Sequence, residues 1–127
     1  MDAGLTIFLF ESDAQMRELV EVYLKKKGFN VVATADVAGS LELITEQQVD
    51  LAMVCIEGVD RQLVEFVAGI KKVQPRLPIL TQTNAGLIED PGSVEQVVET
   101  SENLSTVVSL DRVLSTIRRM LTVRQPV

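Results

Sequence analysis

The chain has no histidine and no tryptophan, and only one cysteine, four prolines and seven glycines in 127 residues. Without histidine there is no imidazole general acid or base, no Ser–His or Cys–His nucleophile pair, and no His ligand for a metal. A single cysteine cannot close an intrachain disulfide, and no second thiol exists to resolve a redox intermediate. A lone thiol suits a reducing compartment, so a cytoplasmic location is expected. No apolar window approaches 18 residues, which argues against a membrane span. The first residues lack the basic, apolar, small-residue succession of a signal peptide. Basic charge is also scarce: 12 Lys and Arg against 18 Asp and Glu give a net charge of −6. An acidic surface cannot neutralise phosphates, so direct nucleic-acid binding is not expected. These absences together argue against an enzyme.

What is present is periodicity of two alternating kinds. The run "GLTIFLF" is continuously apolar, too short for a helix and rich in strand formers. Ser12 or Asp13 can then cap a helix in which Met16, Leu19, Val20, Tyr23 and Leu24 recur at helical spacing. Gly28 supplies its stop, and Glu21 with Lys25 forms an i,i+4 pair in the favourable order. "FNVVATA" reads as a second strand, and Asp36 caps a helix with Val37, Leu41 and Ile44 inward. "LAMVC" reads as a third strand, and Asp60 closes the loop before a helix facing inward with Leu63, Phe66, Val67 and Ile70. "LPILTQT" is a fourth strand. Asp90 before Pro91 starts a helix with a thin stripe of Val94, Val97 and Val98. "STVVS" is a short fifth strand, and Leu110, Val113, Leu114, Ile117 and Leu121 mark a last helix.

Five strands alternating with five helices make a (βα)5 chain, an α/β doubly wound parallel sheet whose strands are buried on both faces. For this element count the flavodoxin-like strand order is 2-1-3-4-5, with the switch point between strands one and three. Residues 1–122 form the domain, and 123–127 read as a tail or the start of a linker. Ligands in such sheets bind outside the carboxyl ends of the strands, which brings together Glu11, Ser12 and Asp13 after strand one and Cys55 at the end of strand three.

At this point the sequence resembles the receiver domains of two-component response regulators, over nearly its whole length. "IFLFESDAQMRELVEVYLKKKGFNVVATADVAGSLELI" is similar to the family's first strand through second helix, "QVDLAMVCIEGVD" to its third strand and loop, and "IKKVQPRLPILTQT" to its third helix and fourth strand. The family holds Mg²⁺ on an acidic pair after strand one and phosphorylates an aspartate at the end of strand three. It contacts the phosphoryl group with a Thr or Ser after strand four and a Lys after strand five. Carried over, Glu11 and Ser12 take the acidic pair, Cys55 the phospho-acceptor, Thr83 the hydroxyl and Ser109 the lysine position. The family's proline after strand three is Val59, and its strand-five aromatic is Thr106.

These departures remove the chemistry. Aspartyl phosphorylation needs a carboxylate nucleophile, a metal to neutralise the incoming oxyanions and a lysine to complete the charge balance. No Lys occurs after Lys72. The neighbouring Glu11 and Asp13 would raise the pKa of a thiol at position 55 rather than activate it. The resemblance therefore implies a degenerate pocket, a pseudo-receiver signalling without phosphorylation as a protein–protein interaction or dimerisation module. The rival readings are an unorthodox but still phosphorylatable receiver, and a flavodoxin-like ligand-binding protein, for which the acidic "ESD" is a poor phosphate cradle. No cofactor is expected, and Mg²⁺ at most weakly on Glu11 and Asp13. Glu57, two residues past Cys55, is a candidate substitute acceptor. The plain alternatives are that Cys55 fills the pocket as a small buried hydrophobe, and that Glu11 and Asp13 are solvated carboxylates at a helix start.

The remaining function is expected on the face of the expected fourth helix, fifth strand and fifth helix, where receivers usually signal. Glu95 and Glu99 make the first of these acidic, Thr106 lies on the strand, and Arg112 and Arg119 make the last helix basic. Acidic and basic helices side by side are self-complementary about a two-fold axis, so a second copy or a protein partner is expected there.

Overall fold

Ile7, Phe8 and Leu9, and the run from Leu51 to Val54, are wholly inaccessible to solvent. These runs form the two innermost strands of a sheet covered on both faces. The computed structural model describes residues 4–56, 61–83, 86–89 and 110–124. The elements are β1 (Thr6–Glu11), α1 (Ala14–Lys26), β2 (Asn30–Thr34), α2 (Val37–Glu46), β3 (Leu51–Cys55), α3 (Arg61–Val73), β4 (Ile79–Thr83), β5 (Gly86–Glu89) and α4 (Leu110–Arg124). The sheet order is β2-β1-β3-β4-β5. The first four strands in that order are mutually parallel, with Phe10 opposite Val54 and Glu11 opposite Cys55 across β1 and β3.

Alternation along the strands splits the interior in two. On one face Ile7, Leu9, Met53 and Leu80 pack with Val20 and Leu24 of α1 and Val113 and Ile117 of α4. On the other, Phe8, Phe10, Val54 and Ile79 meet Ile44 of α2 and Phe66 and Ile70 of α3. Phe10 and Phe66 meet edge to face with centroids 5.1 Å apart. Each such buried side chain contributes roughly 1.5–3 kcal/mol of transfer free energy, so the double layer is what holds the sheet.

The helix ends follow from local sequence. Asp13 caps α1 by accepting from the N–H groups of Gln15 and Met16 at 2.9 and 3.1 Å. Gly28 ends it at φ 101°, a left-handed conformation that glycine adopts without strain. Asp36 caps α2 through Ala38 N–H at 3.0 Å.

The doubly wound α/β class and the order 2-1-3-4 of the parallel strands are as expected, and beside β4 lies a further, antiparallel strand that the sequence analysis did not anticipate. Gly86–Glu89 pairs antiparallel with β4, with Thr83 opposite Gly86 and Leu80 opposite Glu89. Only two residues separate the strands, a length that permits a hairpin and not a parallel crossover. The strand expected at 105–109 and the helix expected from Asp90, with its valines, lie outside the described residues, as do Asp60 and the Leu63 side chain.

Not every apolar residue at helical spacing is covered. Met16 is 43% and Leu19 51% exposed, so α1 is seated on the sheet through Val20 and Leu24. The hydroxyl of Tyr23, three residues before the end of α1, donates to Asp111 in the first turn of α4 at 2.7 Å. Val37, expected inward, is exposed in the first turn of α2, which is seated through Ile44.

Candidate functional site

The carboxyl edge of the sheet gathers Glu11, Ser12, Asp13, Cys55 and Gln82. Glu11 and Cys55 are register partners on adjacent strands, and Cys55 is in turn opposite Gln82 of β4. By alternation all three side chains belong to the sheet face that carries α1 and α4.

Local structure already engages both carboxylates. The Oε2 of Glu11 accepts the Asp13 N–H at 3.0 Å, and the Oδ1 of Asp13 caps α1. Arg17, one turn into α1, donates from Nη1 to the Glu11 carbonyl at 2.9 Å, fastening the strand end to the helix. Negative side chains at a helix N-terminus are favoured by its dipole, so this arrangement is stable without a cation.

Cys55 is 6% exposed and sits in the apolar cluster beside Met53 and Leu80. Its thiol points at the Gln82 side chain, Sγ lying 3.8 Å from Oε1, the distance of a weak S–H donor bond. Burial pushes the thiol up to about 12, and the charge of Glu11 adds to the shift. At neutral pH the group is therefore a protonated donor and not a nucleophile.

Thr83 is buried at the end of β4, and by alternation it belongs to the opposite face from Cys55. Ser12 is exposed at the head of α1. Glu57, Ser109, Glu95, Glu99 and Thr106 lie outside the described residues, while Arg112 and Arg119 are exposed on α4. Two participants were absent from the sequence reading. Gln82 could have been found by laying the parallel strands in register. Arg17 carried a weaker signal, as a base one turn after an acidic cluster.

The residues present do not fit the Mg²⁺ site that the receiver pattern implies. The first carboxylate is bound to a backbone N–H, the second acidic position is Ser12, and the acceptor position beside them is a protonated thiol and not a carboxylate. Among the described residues no three Asp, Glu, Cys or His side chains are grouped to hold a metal ion.

No protein-family model matches the chain. It is similar to the transcriptional regulatory protein GlrR of Escherichia coli K12, 27% identical over 90 residues, which cover 71% of this chain and 20% of that one. The chain thus corresponds to about a fifth of that regulator's length. Among solved structures it resembles a CheY-like response regulator receiver domain of Methanospirillum hungatei, with TM-score 0.74 and 18% identity, covering 94% of this chain and 95% of the other. It also resembles HP1043, an orphan response regulator of H. pylori, with TM-score 0.71 and 21% identity over 95% and 99% of the two chains. The chain has the response-regulator receiver fold.

Proposed function

We propose that this chain is a receiver-type signalling domain of a two-component system that acts without phosphorylation, as a non-catalytic protein–protein interaction module. One observation carries the reading. The position that accepts the phosphoryl group in receivers is here a buried, protonated thiol donating to Gln82, with Glu11 beside it. A phosphoryl group brings about −1.5 to −2 charge, and the charged side chain that acts on this thiol, Glu11, is itself an anion. The capped carboxylates and the missing lysine leave nothing to neutralise it.

The partner is a protein, engaged through the face to which α4 contributes its exposed Arg112 and Arg119, with Glu95, Glu99 and Thr106 as the remaining contributors. The net charge of −6 disfavours nucleic acid as a direct partner. Among the described residues no helix is long and apolar enough to cross a membrane, and we place the domain in the cytoplasm on its single buried thiol. The similarity to a transcriptional regulator about five times longer suggests that the domain modulates an effector module.

Incubation with a small-molecule phosphodonor and Mg²⁺, followed by intact mass measurement, tests this directly. An unchanged mass is expected. A stable increment of one phosphoryl group would instead establish an unorthodox working receiver.

A further inference from the structure

We draw no further inference here: the strongest candidate, the exposed apolar surface patch of Met16, Leu19 and Val22 on α1, has nothing in the structure to show what covers it.

Discussion

Tyr23 and Asp111, 88 residues apart in the chain, are joined at the surface by a 2.7 Å hydrogen bond from the phenol to the carboxylate. This contact ties the first described turn of the last helix to the end of α1. The ring also lies under Lys27, whose Nζ is 5.4 Å from its centroid, so the phenol is held from two sides. Tyr23→Phe removes the hydroxyl and keeps the ring. The expected outcome is a small drop in melting temperature, since surface contacts contribute little individually. Asp111→Ala in the Tyr23→Phe background should add almost nothing further, because the two changes delete the same bond. Fully additive losses in thermal unfolding would mean that the two residues act separately.

The Cys55 thiol makes stability depend on alkaline pH. In the unfolded chain it ionises near 9.0, whereas burial and then the Glu11 charge raise it to about 12 in the folded protein. Below pH 9 both states hold the proton and the contribution is constant. Between about 9 and 12 the unfolded state loses its proton first, so stability falls as pH rises, by at most about 1.4 kcal/mol per unit. Cys55→Ala should flatten this part of the profile, at a cost on the order of 1 kcal/mol at neutral pH for the smaller side chain. Chemical denaturation at pH 7, 9 and 10.5 distinguishes the two proteins; parallel curves would show that the thiol is not the titrating group.

Restoring the nucleophile alone should not restore phosphorylation. Cys55→Asp supplies a carboxylate opposite Glu11, but one oxygen each of Glu11 and Asp13 remains bonded to backbone N–H groups, and Ser12 still replaces one acid of the metal pair. The minimum repair is Cys55→Asp with Ser12→Asp and Ser109→Lys, which returns a second metal ligand and the missing cation. Intact mass after treatment with a phosphodonor and Mg²⁺ should show labelling of the triple variant only. Efficient labelling of the single variant would mean that the present carboxylates can hold the metal.

What the sequence made legible was local or periodic. The caps at Asp13 and Asp36 and the stop at Gly28 are decided within a few residues, and the apolar runs of β1 and β3 are long enough to declare themselves. The acceptor position at Cys55 was readable because it ends such a run. What escaped reading depends on distant partners. Gln82 matters only because register sets it opposite Cys55. β5 is four residues long, and Asn84-Ala85 is not one of the Gly-containing pairs that announce a tight hairpin. Met16 and Leu19 recur at helical spacing with the buried Val20 and Leu24, and spacing alone does not tell which of the four meet the sheet.

Thr81 is the one buried side chain among the described residues whose polar atom lacks a hydrogen-bond partner. It lies in the middle of β4, fully inaccessible, opposite Val54 of β3 and Ile88 of β5. By alternation it shares the sheet face of Ile79, where the surroundings are Phe10, Val54 and Phe66. A hydroxyl desolvated there without compensation costs about 1–3 kcal/mol. Valine has nearly the same shape and β-branching, so Thr81→Val keeps the packing and the strand preference while removing the desolvated oxygen. The variant should be more stable than the parent by about 1 kcal/mol, with a melting temperature a few degrees higher. Thr83→Val, two residues on, provides the contrast: the Thr83 hydroxyl is not among the unsatisfied buried groups, and the change should be neutral or destabilising. If urea denaturation finds Thr81→Val less stable than the parent, the hydroxyl must be making a bond in solution, and this face of the sheet is not as dry as its apolar residues imply.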